Sequence, residues 1–454
     1  MKKVKYSVLA LAVLLPVCIA VKTTAAASFP EPPDIKRLTL SEAFVLMDAD
    51  TGQVLLERNM RVKMYPASIT KIMTALLALE SGRPQSSVIT MSHDAVWSVG
   101  RDTSHIALDE TEQLTLEQAL YALAIASAND AANGIAELVG GTMENFSIMM
   151  TERAKELGAA DTNFKNAHGL PERMHSTTAY DMAKIMAAAA KTPGFSQIFT
   201  TITYEMPQTN RQPETRFFHR KNSLVKGPFA YSGLIAEKTG WTGEAGFTYA
   251  AAAKRDGVTL VAVLMNSPSE EARWSDCVRL FDYGFDGFAL SGYSAGEFAK
   301  ESCDIGFADG TFENVRLVPE GDFDFYIAEN LKKEDIEITY EIAGDQNGIL
   351  SGSAVFSLKP GLSDFMYPEI GQIGLLVYPG SENTDGAPEP VNERRPEASY
   401  ENENPVLSGL SKIYGVISII LQILGGFAVI MVILYIRRYI KVRELKRKRR
   451  LRRR

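Results

Sequence analysis

Residues 413–436, "IYGVISIILQILGGFAVIMVILYI", run 24 residues without a charge, and Gln422 is the one clearly polar side chain among them. As a helix that length crosses the roughly 30 Å hydrocarbon core of a bilayer. The tail that follows, "RRYIKVRELKRKRRLRRR", carries 12 Lys or Arg and one Glu in 18 residues, a net of +11. An isolated basic run suggests nucleic acid. Directly after a membrane span it reads as the cytoplasmic flank, so nucleic acid is not an expected partner. At the other end, Lys2, Lys3 and Lys5 precede an apolar run from Val8 to Val21 and the small residues Ala25-Ala26-Ala27. That is the pattern of a cleaved secretory signal over residues 1–27, since the run is short for a span. The prediction is a chain anchored once in the cell membrane by 413–436. Residues 28–412 lie outside, and the 437–454 tail lies inside.

The exported part must then fold in an extracytoplasmic setting. Its cysteines, Cys277 and Cys303, supply no disulfide framework; they are read as two unpaired thiols, with a single bridge open to them. The chain of 454 residues has 46% apolar content, enough for two folded domains plus accessories. The net charge of −7, less the +11 of the tail, leaves −18 on residues 1–436.

Residues 28–290 mix two periodicities. "AFVLMDADTGQVLLERN" predicts two short strands around the turn Asp50-Thr51-Gly52, and "GFTYAAAAKRDGVTLVAVLMN" predicts a hairpin turning at Arg255-Asp256-Gly257. Between them, "TLEQALYALAIASANDAANGIAELVG" and "MENFSIMMTERAKELG" have helical spacing. Strands at both ends with helices between predict an α+β domain. From 291 to 380, alternating stretches such as "DFDFYIAE" and "IEITYEIAG" predict a small β-rich domain. Residues 381–412 read as a flexible linker; the polar, Pro-containing 25 residues 381–405 average about 25–30 Å end to end as a coil. There is no internal repeat.

Within "YPASITKIMTALLALE" a helix starting near Pro66 puts Ser68 in its first turn and Lys71 one turn later on the same face. Alone, S-x-x-K is weak evidence for chemistry, and Ser223 to Lys226 is a second copy. Serine acyl-transfer enzymes that pair Ser with Lys also need S-x-N and K-[ST]-G elements. Ser127-Ala128-Asn129 supplies the first and Lys238-Thr239-Gly240 the second, in the required order. A further S-x-N, Ser381 to Asn383, falls in the linker, where no rigid site can form.

With these motifs, "LMDADTGQVLLERN", "PASITKIMTALLALE", "ASANDAANGIAE", "TTAYDMAKI" and "KTGWTGEAGFTYAAAAKRDG" make residues 38–285 resemble the D-alanyl-D-alanine carboxypeptidases, the low-molecular-mass penicillin-binding proteins of peptidase family S11. The resemblance implies a serine β-lactamase/penicillin-binding-protein-like transpeptidase fold: an antiparallel sheet carrying the K-T-G strand, with a helical subdomain carrying S-x-N. It implies that Ser68 is the nucleophile on the bond between two terminal D-alanines of a peptidoglycan pentapeptide, and that Lys71 is its base. Ser127 relays a proton to the leaving amine, and Asn129 holds the substrate amide. Lys238 and Thr239 attract the terminal carboxylate, and Gly240 lets substrate backbone approach. The backbone N–H groups of Ser68 and Trp241 form the oxyanion hole. β-Lactam antibiotics are the implied inhibitors, and no cofactor is implied.

Two positions depart from the family pattern. Glu237 stands where an apolar residue is usual, and strand alternation points it away from the Lys238 face. Trp241 stands where His, Tyr or Phe is common. An additional cation near the K-T-G strand falls to Arg220 or Lys221, beside Asn222. His168, in "NAHGL", is read as a structural loop residue, because five histidines without an H-E-x-x-H pattern give no metal site. Two other readings share the fold. A class A-like β-lactamase would turn over penicillin through a positioned glutamate, and a catalytically inactive wall-binding protein would bind pentapeptide without releasing D-alanine.

Overall fold

A computed structural model describes residues 39–221, 223–306, 312–344, 350–362 and 367–379. The signal segment 1–27, the linker, the span 413–436 and the basic tail lie outside the described residues. Among those described, no helix is long and apolar enough to cross a membrane.

The chain opens with β1 (Ala43–Asp48), every residue buried, and β2 (Val54–Arg58). Their turn is held by the Asp48 carboxylate, which accepts the N–H groups of Asp50 at 3.1 Å and Thr51 at 2.7 Å. That is the local bonding that makes an aspartate favour turns. A 3-10 turn, Ala67–Thr70, leads into the helix Lys71–Glu80. The hairpin β3 (Val88–Thr90) and β4 (Gln113–Thr115) brackets a short helix, His93–Trp97. The helical layer continues through Leu116–Tyr121, Asn129–Gly140, Met143–Glu156, Ala179–Lys191 and Phe195–Thr200. After the hairpin β5 (Thr203–Met206) and β6 (Arg216–His219) come the long strands β7 (Leu234–Thr242), β8 (Gly246–Arg255) and β9 (Val258–Ser267). The β8–β9 hairpin turns on Asp256 and Gly257 at φ of 50° and 91°, the left-handed pair of a two-residue turn.

These strands form one antiparallel sheet in the order β2-β1-β9-β8-β7. The first and last parts of the domain therefore meet in the middle, as the strand-helix-strand pattern predicts. Side-chain alternation sorts the strands between two cores. Val45, Met47, Ala250, Ala252 and Val263 face the helical layer with Ile72, Leu76, Met182 and Met186. Phe44, Leu46, Tyr249, Ala251 and Leu264 face the opposite way, onto the helix Glu270–Gly287 through Trp274, Cys277, Leu280 and Phe281.

Downstream, β10 (Phe288–Tyr293) pairs with β13 (Phe323–Ala328) around the short helix Ala295–Phe298. A second antiparallel sheet is formed by β11 (Lys300–Gly306), β12 (Phe312–Pro319), β14 (Ile336–Gly344), β15 (Leu350–Leu358) and β16 (Glu369–Pro379), in the order β11-β12-β16-β15-β14. Its inner residues, among them Leu317, Phe356 and Val377, join the same apolar cluster as Phe44 and Phe281. Gln53 adds a polar tie, accepting Tyr326 N–H at 2.7 Å and donating to Tyr326 C=O at 2.6 Å.

Candidate active site

Ser68 sits in the 3-10 turn, and Lys71 opens the α-helix that follows. Ala67 enters this turn at φ 51°, a left-handed conformation that costs an L-alanine about 1–2 kcal/mol. Lys71 is fully buried. Its Nζ lies 2.9 Å from Ser68 Oγ, 2.7 Å from Asn129 Oδ1 and 2.7 Å from the His168 carbonyl oxygen. Burial first, and then the charge of Lys238, push its pKa well below that of an ordinary lysine, with Asp130 opposing. A neutral amine has two N–H groups and one lone pair. The Asn129 and His168 oxygens can only accept, so they take both N–H groups and leave the lone pair for the Ser68 hydroxyl. That arrangement can remove a proton from Ser68.

Ser127 lies where the helical layer breaks. A π turn, Ala122–Ala126, ends at Ser127 with φ 57°, and the helix Asn129–Gly140 starts two residues later. The break is clamped from outside: Asn129 N–H donates to Ser104 C=O at 2.8 Å, and the Asp130 carboxylate accepts Ile106 N–H at 3.2 Å and Leu108 N–H at 3.0 Å. Ser127 Oγ is thereby exposed to Lys238, whose Nζ donates to it at 3.0 Å and to Thr239 C=O at 2.7 Å. Lys238 is pulled down to about 7, by burial first and then by the cations Arg220 and Arg273, with Glu237 opposing.

Gly240 is required by the protein itself. A Cβ there would lie 2.3 Å from Thr248 Oγ1 and 2.8 Å from Ser68 N, so the absence of a side chain lets β7 pack onto the Ser68 turn. The close approach here is that of β7 to the chain's own Ser68 backbone. Gly169 has a similar place behind that turn, since a Cβ on it would fall 1.9 Å from Ala67 O at φ 90°. Trp241, next on β7, is 60% exposed and tilts over Phe247 with ring centroids 6.2 Å apart. Thr239 is half-buried.

The three motifs, from a helix start, a helix break and an edge strand, thus converge. The other copies do not: Ser223 is buried in a local turn, its Oγ accepting Val225 N–H at 3.3 Å, and Ser381 to Asn383 lies outside the described residues. Glu237 does face away from Lys238. Arg220, a candidate for a cation beside the K-T-G strand, is buried behind it on Glu237 at 3.3 Å, while Lys221 is exposed and Asn222 lies outside the described residues. His168 acts through its backbone carbonyl; burial and the nearby Lys71 hold its imidazole down to about 3. Cys277 is buried, Cys303 is half-buried, and both are free thiols. Arg273 belongs to no motif, and no pattern in the sequence marks it. It is buried between Phe247 and Trp274, each ring centroid 5.3 Å from its Cζ, and Nη1 donates to Gly240 C=O at 3.0 Å. Among the described residues, no group of three or more His, Cys, Asp or Glu could hold a metal ion.

Comparison with known proteins follows the same lines. The family described as D-alanyl-D-alanine carboxypeptidase, Peptidase_S11, matches residues 27–269. The D-alanyl-D-alanine carboxypeptidase DacF of Bacillus subtilis is 35% identical over 248 residues, 54% of this chain and 62% of that protein. DacA of Haemophilus influenzae is 27% identical over 342 residues, 72% of this chain and 82% of that one. Among solved structures, penicillin-binding protein 5 from Haemophilus influenzae aligns with a TM-score of 0.58 at 26% identity, covering 77% of this chain and 98% of that one. The mixed α/β fold is shared with penicillin-binding proteins.

Proposed function

Because the chain belongs to the D-alanyl-D-alanine carboxypeptidase family, peptidase S11, we propose that it removes the terminal D-alanine from peptidoglycan pentapeptide stems through an acyl-enzyme on Ser68. Ser68 Oγ adds to the carbonyl carbon of the penultimate D-alanine, and its proton passes to Lys71 Nζ. The peptide C–N bond breaks as the leaving amine takes a proton by way of Ser127, and free D-alanine departs. Water then attacks the ester, its proton returns through Lys71, and the tetrapeptide leaves with Ser68 restored. The net reaction is hydrolysis, and each stem so trimmed is lost as a donor for cross-linking.

One observation carries this reading: the Nζ of the buried Lys71 lies 2.7 Å from Asn129 Oδ1, 2.7 Å from the His168 carbonyl oxygen and 2.9 Å from Ser68 Oγ. A lysine whose pKa is held well below the ordinary range by burial and by Lys238, with Nζ beside the Ser68 hydroxyl, is placed to act as its base. Asn129 also offers its amide to the substrate backbone. Lys238 and Thr239 receive the terminal carboxylate, and the N–H groups of Ser68 and Trp241 receive the developing oxyanion. β-Lactams, which present a strained amide beside a carboxylate, acylate Ser68 by the same route.

The proposal extends to topology. Residues 28–290 form the catalytic domain and 291–380 a β-rich domain. With the 381–412 linker they hold the cleft out from a membrane anchored by 413–436, after removal of 1–27. Apolar length, basic flank and signal pattern support this arrangement. The test is D-alanine release from a peptide ending in D-Ala-D-Ala, by the full chain beside Ser68→Ala. Release by the first alone is the expected result, and equal release by both would refute the role of Ser68. Penicillin should inhibit by long-lived acylation; rapid multiple turnover of penicillin would favour a β-lactamase instead.

A further inference from the structure

β7, which carries Lys238, is an edge strand of the central sheet, and the helix Phe195–Thr200 packs against it. Arg220 bridges the two. Its Nε donates to Thr201 C=O at 3.2 Å, its Nη2 to Phe199 C=O at 3.0 Å, and its Nη1 to Glu237 Oε1 at 3.3 Å. The second carboxylate oxygen of Glu237 accepts Leu224 N–H at 3.0 Å and the Tyr249 hydroxyl. Glu237 and Tyr249 are fully buried, and Arg220 is 8% exposed. The next residue along, Lys238, faces the other side of the strand and meets Ser127.

Burying opposite charges is costly, and an apolar pair would cover the strand edge at least as well. Stability alone therefore does not account for a full ion pair, bonded on every side, directly behind the Lys238 backbone. We propose that Arg220, Glu237 and Tyr249 form a positioning device for Lys238, fixing β7 against Phe199, Thr201 and Leu224 and balancing the field that the Lys238 ammonium meets from behind. This rests on the reading of Lys238 as the cation that receives the substrate carboxylate. Glu237 neutralises Arg220, so Lys238 can hold a proton in a site that already contains two further cations, Arg273 and Arg220. The other titratable groups around it are Tyr249 and Cys277 behind the strand, Glu270 paired with Arg273 at 2.7 Å, and Lys71 in front, where the Ser127 hydroxyl accepts from Lys238. Tyr249 is pushed well above the ordinary tyrosine range, chiefly by burial and then by Glu237, so it stays a donor to the carboxylate.

The pair gives an unusual signature, because its two halves act on Lys238 with opposite sign. The test is the pH profile of penicillin acylation by the full chain, whose alkaline limb reports loss of the Lys238 proton. Glu237→Gln keeps the shape and the acceptor for Tyr249 but leaves Arg220 unbalanced. It should move that limb to lower pH by about one unit, the size expected for one charge at roughly 10 Å in an effective dielectric of about 20. Arg220→Met leaves Glu237 unbalanced and should move the limb to higher pH, and the double variant should return it towards the wild-type position. The acid limb, governed by Lys71, should move less. A purely structural role would lower rate and stability in both single variants without opposite shifts. No shift in folded Glu237→Gln overturns the inference, whether or not Arg220→Met folds. A wild-type chain that penicillin does not acylate overturns the functional reading first, and this inference with it.

Discussion

Ala67 and Ser127 hold left-handed backbone, at φ 51° and 57°, on either side of Lys71. Neither has glycine's freedom, and each costs about 1–2 kcal/mol that the surrounding bonds must cover. At position 127 the hydroxyl explains why the cost is kept: it accepts from Lys238 Nζ at 3.0 Å, and glycine offers nothing there. The two effects separate by mutation. Ser127→Gly should be more stable than Ser127→Ala by about 1 kcal/mol in urea unfolding, while both lose about a hundredfold or more in acylation rate. At Gly240 the strain runs the other way. Gly240→Ala places a Cβ 2.8 Å from Ser68 N and 2.3 Å from Thr248 Oγ1, so the Ser68 turn must shift. A displacement of even about 1 Å costs roughly a hundredfold in rate. Penicillin acylation measured beside circular dichroism should show that loss in a chain that is still folded.

Elements elsewhere in the domain are held by ordinary local devices. The helix Ala179–Lys191 starts at Thr178, whose hydroxyl accepts Asp181 N–H at 3.0 Å. Thr178→Ala should cost about 1 kcal/mol of stability in urea unfolding and leave the acylation rate unchanged. The hairpin at Asp256-Gly257 and the alternation in β13 and β14 were legible in the sequence because each is local. The break at Ser127 was not legible from pattern. "ALYALAIASANDAANGIAEL" keeps its apolar spacing straight through, with no Gly or Pro at the turn, and the S-x-N motif alone marked the place. The break comes from tertiary bonds, those of Ser104 to Asn129 and of Ile106 and Leu108 to Asp130. The same holds for Arg273, which reads as solvated until the fold encloses it. Arg220 is legible as a candidate cation beside Lys221, but its burial on Glu237 behind β7 is not. The carbonyl of His168 is a backbone group, and no side-chain pattern could announce it.

Across the whole molecule, one apolar cluster runs from the back of the central sheet into the second sheet, with Gln53 bonded to both backbone groups of Tyr326. Acid should loosen the catalytic half through its buried histidines. His175 is 1% exposed, with Thr70 Oγ1 3.1 Å from Nε2 and Lys165 N–H donating to Nδ1 at 3.0 Å. Burial, then the nearby Lys165, lower its pKa to about 4, against about 6.5 in an unfolded chain. Between those values the unfolded chain binds the extra proton, so stability rises with pH. The His175 contribution is fully present above about pH 6.5 and is lost as pH falls towards 4. It amounts to about 3 kcal/mol, with His168 acting in the same direction down to about 3. Urea unfolding at steps from pH 8 to 4 should show the decline, and His175→Gln should flatten the part between 6.5 and 4. A slope unchanged in that variant would place the acid sensitivity elsewhere.

All these scales meet at the Ser68 hydroxyl, which the account makes the one atom that is acylated. The most direct measurement is to treat the full chain with penicillin at neutral pH, then locate the covalent adduct by mass spectrometry of its peptides. The expected result is one penicilloyl group per chain, on the peptide containing Ser68, absent from Ser68→Ala and slowed by about a thousandfold in Lys71→Met. An adduct on any other residue, or undiminished labelling of Ser68→Ala, would contradict it.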